Sequence, residues 1–180
     1  MATALESIDG LLDKHDSKIA RDLKLNLKNL ITKSALTMAE AGILVRGVAR
    51  TLHHPGLSEI GLQLITDSNE TLSAEQYQEI EESAAIMGML NVYYRFRHFM
   101  ESQETQHQAY QNAGLRMQSL AAPALGKERF ELLAFAHSVI NGCEKCVTSH
   151  ERSLVELGTA QDKIHDAARV AAVCTGISRL

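Results

Sequence analysis

Proline is nearly missing from this 180-residue chain, with two occurrences, and cysteine appears only three times. So few prolines, beside 45% hydrophobic and 22% charged residues, exclude a low-complexity or disordered chain and describe a globular one. Cys143, Cys146 and Cys174 are too few and too unevenly placed for the disulfide framework of a secreted protein. Charge of one sign is not in excess either: 18 basic and 22 acidic residues give a formal charge of -4, which offers no global attraction to nucleic acid or to an anionic membrane. No run approaches the ~18 uncharged apolar residues of a membrane span. Between Met1 and Lys18, the acidic residues Glu6, Asp9, Asp13 and Asp16 interrupt what would have to be the uncharged core of a signal peptide. A cytoplasmic protein with small molecules or proteins as partners is expected. Glycine-rich phosphate loops and serine-centred nucleophile motifs are also lacking.

Strand-like alternation is scarce, and apolar residues recur mostly at helical spacing. Helices are expected over Leu36 to Leu52, Ser58 to Ile65, Ser73 to Met100, Lys127 to Ile140, Cys143 to Leu157 and Gln161 to Gly176, which makes the fold class all-α. With no evident linker, residues 1–180 read as a single helical domain. His54-Pro55-Gly56 and Ala121-Ala122-Pro123 break the chain, Ser73 and Gln76 form a capping-box pattern, and Gly158 suits the end of the cysteine-bearing helix. The polar stretch Ser102 to Asn112 reads as a surface connection or a frayed helix. An echo between Ile86-Met87-Gly88-Met89 and Ile140-Asn141-Gly142-Cys143 raises an internal duplication of two helical units.

The chemistry concentrates in Asn141-Gly142-Cys143-Glu144-Lys145-Cys146-Val147-Thr148-Ser149-His150. Asn141-Gly142 can end one helix and leave Cys143 at the start of the next, where unpaired amides and the helix dipole favour a thiolate. Residues three and four apart share a helix face, so Cys143, Cys146 and His150 align on a stripe continued by Val147, Leu154 and Leu157. Burial on such a stripe would make a thiol inert unless a base or cation stood near it, and His150 is the natural one. Twelve residues upstream, Glu131 would lie ~18 Å from Cys143 on one continuous helix. If the chain instead reverses at Asn141-Gly142, helix rise places Glu131 roughly 15 Å, His150 roughly 11 Å and Cys146 roughly 5 Å from the turn. That order permits a relay in which Glu131 orients or charges His150, and a direct contact or a water carries the proton from Cys146.

Other readings compete. The same Cys143, Cys146, His150 and Glu131 suit zinc as a ligand set, which would make the chain a metal-stabilised binding module. Helix-start position favours Cys143 as the more accessible sulfur for exchange, while proximity to His150 favours Cys146 as the nucleophile. Tyr93-Tyr94-Arg95-Phe96-Arg97-His98-Phe99 has the composition of a nucleic-acid surface, but packing and ion pairs on a helix or at a subunit contact fit the acidic chain better. Cys174, within Val170-Ala171-Ala172-Val173-Cys174, reads as a small core residue. His53, His54, His137 and His165 show no metal spacing, although His137 precedes the turn and belongs near the site.

Glu131-x11-Cys143-x2-Cys146-x3-His150 resembles the signature of the AhpD-type alkyl hydroperoxidases of the carboxymuconolactone decarboxylase-like superfamily. Further likeness lies in Arg21-Asp22-Leu23-Lys24-Leu25-Asn26-Leu27, Ala84-Ala85-Ile86-Met87-Gly88-Met89, Asn91-Val92-Tyr93-Tyr94-Arg95 and Gly114-Leu115-Arg116-Met117. The resemblance implies an all-helical subunit assembled as a homotrimer, and a redox disulfide between Cys143 and Cys146. It also implies essential roles for Glu131, Cys143, Cys146 and His150. In function it implies reduction of hydroperoxides and reduction of a peroxiredoxin partner, with electrons from dihydrolipoamide on a lipoyl-bearing acyltransferase and no tightly bound cofactor. Where some members carry a histidine directly before the second cysteine, this sequence has Lys145. The superfamily also includes cofactor-free decarboxylases, against which the cysteine pair argues.

Overall fold

A computed structural model describes residues 3–101 and 110–180; among these the chain forms eight α-helices and no strand. They are α1 (Ala4–Leu12), α2 (Lys18–Lys33), α3 (Met38–Thr51), α4 (Pro55–Asp67), α5 (Ala74–Glu101), α6 (Lys127–Asn141), α7 (Glu144–Glu156) and α8 (Gln161–Ile177). A short 3-10 turn, Gln118–Leu120, precedes α6. Most of the polar stretch expected as a connection, residues 102–109, lies outside the described residues.

Local sequence sets most of the helix starts. Thr3 with Glu6 and Thr37 with Glu40 close reciprocal capping boxes on α1 and α3. Ser73 does the same for α5: its amide donates to Gln76 Oε1 at 2.8 Å, and the Gln76 amide donates to Ser73 Oγ at 3.2 Å. The helix expected from Ser58 begins three residues earlier, so that of His54-Pro55-Gly56 only His54 lies in the break. Pro55 is the first residue of α4, where its missing N–H costs nothing, and His54 Nδ1 accepts from the Leu57 amide. Helices α1 and α2 were not expected. The core-facing Ala20, Leu27, Leu30 and Ile31 of α2 are diluted by lysine and asparagine, and Lys24 and Lys28 tie α2 to Asp13 and Asp9 at the end of α1.

Helices α3 and α4 approach so closely that only glycine fits between them. A Cβ on Gly42 would stand 2.9 Å from the Gly61 carbonyl oxygen, and one on Gly61 would stand 2.4 Å from the Arg46 amide nitrogen. Helix α6 is the central element, touching α3, α5, α7 and α8. Every residue from Phe130 to Ser138 is buried, including Glu131, His137 and Ser138, whose polar atoms therefore need partners inside the protein. The four-residue echo is not matched in backbone structure. Gly88 lies inside the unbroken α5, where Met87 and Leu90 continue the apolar face, whereas Gly142 adopts φ +62° and terminates α6.

Candidate active site

The reactive segment begins with a backbone reversal. Gly142 takes the left-handed conformation that glycine adopts without strain, and its amide donates to the Ser138 and Val139 carbonyls. The Cys143 amide donates to the Ser138 carbonyl at 3.1 Å. Helix α7 then returns along α6, giving the hairpin that the Asn141-Gly142 pair implied. Cys143 itself sits just outside α7 with extended backbone, and its carbonyl accepts from the Cys146 and Val147 amides. A disulfide joins Cys143 to Cys146 across a Cα separation of 5.3 Å.

Accessibility reverses one expectation. Cys143 is fully buried, while Cys146 retains 6% exposure and lines a cavity of about 530 Å³. The helix start therefore does not make Cys143 the accessible sulfur, because the turn tucks it under α7. Leu154 continues the buried stripe, but Leu157, at the end of α7, is exposed.

Folding back along α6 brings His150 onto Glu131: Nδ1 and Oε2 are 2.7 Å apart. Lys127, one turn earlier on α6, reaches Glu131 Oε1 at 2.8 Å. Burial pushes the Glu131 carboxyl upward, but the hydrogen bonds from His150 and Lys127 outweigh it and hold the group below its ordinary value. An ionised Glu131 can only accept, so the hydrogen between the two groups sits on His150 Nδ1. His150 lines the same cavity as Cys146. Glu131 and His150 are thus in direct contact, and His150 and Cys146 share one cavity.

Lys145 does not serve the sulfurs directly. Its Nζ pairs with Glu101 Oε2 at 2.7 Å, and this contact, together with that of His98, lowers the Glu101 carboxyl. His98 also approaches Glu144, and Tyr93 stacks edge-on with Tyr94, so the aromatic and basic run belongs to helix packing and ion pairs. Cys174 is fully buried in the core, its thiol pushed up to about 12 by burial.

His137 sits in the interior behind the site, fully buried, with Nδ1 2.7 Å from Thr51 Oγ1 and Nε2 2.9 Å from Ser83 Oγ. Ser83 spends its own hydroxyl proton on the Ile80 carbonyl, so it accepts from Nε2–H, and Nδ1 accepts from Thr51. Burial, then the charge of His150, lowers the His137 pKa to about 4.

A second set of residues escaped the reading of the sequence. Asn91, fully buried on α5, donates to Ser138 Oγ at 3.0 Å and accepts at Oδ1 from the Asn141 side chain at 2.9 Å. Arg95, one turn on, donates to the Asn141 carbonyl at 2.6 Å. Together they pin the turn that places Cys143. An asparagine beside Met87 and Leu90 on an apolar helix face was the available signal.

Among the described residues, no three histidine, cysteine or acidic side chains converge to hold a metal ion. The sulfurs are bonded to each other, and Glu131 is engaged by His150 and Lys127. No helix among the described residues is long and apolar enough to cross a membrane.

Residues 109–180 match the Carboxymuconolactone decarboxylase family. The chain is 38% identical over 161 residues to the alkyl hydroperoxide reductase AhpD of Mycobacterium ulcerans (strain Agy99), an overlap covering 89% of this chain and 86% of that protein. With AhpD of Anaeromyxobacter dehalogenans (strain 2CP-C) it shares 39% identity over 155 residues, or 86% and 80% of the two chains. Identity to AhpD of Nocardia farcinica (strain IFM 10152) is 37% over 161 residues, 89% and 86% of the two chains.

Proposed function

Because the chain belongs to the AhpD family of alkyl hydroperoxide reductases, we propose that it reduces organic hydroperoxides through the Cys143 and Cys146 pair. The observation that carries this reading is the position of Cys146: it is the sulfur that lines the cavity, beside a histidine held by a buried carboxylate. In the reduced protein, His150 Nε2 takes the Cys146 proton while Glu131 stabilises the resulting imidazolium. The thiolate attacks the terminal oxygen of the hydroperoxide; the S–O bond forms as the O–O bond breaks, and the departing alkoxide takes the proton back from His150. Cys143 then attacks the sulfenic sulfur, forming the S–S bond and releasing water. One hydroperoxide and two thiols give one alcohol, one water and one disulfide.

Electrons must return by thiol exchange. Dihydrolipoamide on an acyltransferase as the donor, and a peroxiredoxin as a further acceptor, accord with this dithiol site and with family membership. A homotrimer accords with the exposed apolar stripe on α5: Met89, Val92, Phe96 and Phe99 recur three and four residues apart on one helix face. A cytoplasmic location suits a dithiol that must be kept reducible.

The test is reconstituted turnover with a hydroperoxide, a dihydrolipoamide source and a peroxiredoxin, each omitted in turn. Dithiol-dependent loss of peroxide is expected, and is expected to vanish in the Cys143→Ser, Cys146→Ser protein. Lack of such turnover in every combination would overturn the reading. Stoichiometric zinc blocking thiol labelling of the reduced protein would favour the metal module instead, and full lactone decarboxylation by the double serine variant would favour the lyase.

A further inference from the structure

The cavity at Cys146 is far larger than hydrogen peroxide needs, since a water-sized molecule takes roughly 30 Å³ against a volume of about 530 Å³. One wall is apolar: Met87 and Leu90 of α5, with Met117 and Leu120 packed against them, form part of a small hydrophobic cluster separate from the main core. Methionines in such a wall adapt to flexible chains. The remaining lining is cationic, with Arg97, Lys145 and Arg152 against a single carboxylate, Glu101. Lys145 and Glu101 cancel each other in their 2.7 Å ion pair. Arg97 leans over the Tyr94 ring, 5.5 Å from its centroid, and neither it nor Arg152 has a carboxylate partner among the described residues. Two guanidinium groups with no carboxylate partner among the described residues thus line the same cavity as Cys146.

We propose that this cavity selects hydroperoxides of long-chain carboxylic acids. The carboxylate sits at Arg97 and Arg152, and the hydrocarbon lies against the Met87 and Leu90 wall, presenting a mid-chain hydroperoxide to Cys146. Arginine suits this task because its planar fork can take both oxygens of a carboxylate. A neutral hydroperoxide gains the apolar wall but leaves both charges without a counter-ion. The inference rests on the hydroperoxide reductase reading and names its substrate class. The reaction is the one written above, with the two protein thiols supplying both electrons in a single turnover.

The experiment mixes fully reduced protein with linoleic acid hydroperoxide below its micelle concentration, and separately with the methyl ester of the same hydroperoxide, and follows disulfide formation. The acid is expected to react roughly tenfold faster than the ester, the scale of a charge-assisted hydrogen bond. In the Arg97→Met, Arg152→Met protein this ratio is expected to fall toward one. In the unaltered protein it should shrink as salt screens the arginines. Equal rates for acid and ester, or a ratio untouched by both the substitutions and the salt, would overturn the proposal. If neither hydroperoxide oxidises the thiols, the reductase reading fails, and binding of unoxidised oleate by calorimetry decides the site. Oleate binding lost in the double variant would uphold the anionic-chain site, and no binding to the unaltered protein would overturn it.

Discussion

The surroundings of His137 and His150 differ more than their places on adjacent helices would suggest. His150, on α7, keeps 17% of its side chain exposed and meets the Glu131 carboxylate, which can balance a proton arriving on the ring. His137, on α6, is sealed off and meets two hydroxyls, neither of which carries charge. A buried imidazole with only neutral partners is held neutral, whereas one paired to a carboxylate can gain and lose a proton within the folded protein. A charged partner on one ring and neutral partners on the other thus distinguish two histidines thirteen positions apart in sequence.

Substituting each histidine in turn should show this division, with the largest effect at His150. His150→Gln is expected to slow hydroperoxide-dependent disulfide formation by ~10²–10⁴-fold, the usual contribution of a positioned general base, while leaving thermal unfolding nearly unchanged. His137→Leu should do the reverse, keeping most of the rate and losing stability in urea, because Thr51 and Ser83 lose their partner; orphaned buried groups cost about 1–3 kcal/mol each. Equal loss of rate in both variants would break the contrast.

Acid should sharpen it. His137 has a folded pKa of about 4 against an ordinary 6.5, so between these values the unfolded chain binds more protons than the folded one. Stability from this group is therefore complete above pH 6.5 and lost as pH falls toward 4, by about 3 kcal/mol in all. Urea midpoints across this range should fall in the unaltered protein, and His137→Leu should lack that component of the fall.

Smaller effects belong to the residues that support the site. Asn91→Leu leaves the Ser138 hydroxyl and the Asn141 side chain without the Asn91 amide, and is expected to cost about 1–3 kcal/mol in urea unfolding. It should also slow closure of the disulfide, because the turn holding Cys143 is then held to α5 by Arg95 alone. Lys127→Met should cost the least, ~0–1 kcal/mol, since the lysine is half-exposed and its pair with Glu131 is screened by water. Its signature is electrostatic: the Glu131 carboxyl, held low partly by Lys127, should rise toward its ordinary value, as carboxylate infrared titration would show. Glu131 favours the folded state above the carboxylate range and ceases to do so as pH falls through its depressed pKa; without Lys127 that loss begins at a higher pH.

Much of this site could be read from one stretch of chain because its geometry is local. The interval from Glu131 to His150 contains the base, the turn and both sulfurs, and a helical hairpin closing at Asn141-Gly142 is enough to order them. What could not be read depends on residues brought from far along the chain. Asn91 and Arg95 meet the turn across 46 to 50 positions, and the cavity wall needs α5 to face Met117 and Leu120. Periodicity marks which face of α5 is apolar but not which helix it meets. The depth of Cys143 was misjudged for a related reason: a helix start is exposed only if nothing packs over it. Helices α1 and α2 do carry apolar stripes, Ala4, Ile8 and Leu12 in one and Leu23, Leu27, Leu30 and Ile31 in the other, but charged residues interleave them and lower the overall hydropathy of α2.

The burial of Cys143 bears on how the bonded pair can be reopened. Cys146 is the sulfur of the two that keeps any exposure, so a thiol from solution that opened the bond would attach there and leave Cys143 as the free thiol. Cys143 can return and expel that thiol unchanged, so a reductant completes the exchange only by bringing a second thiol of its own.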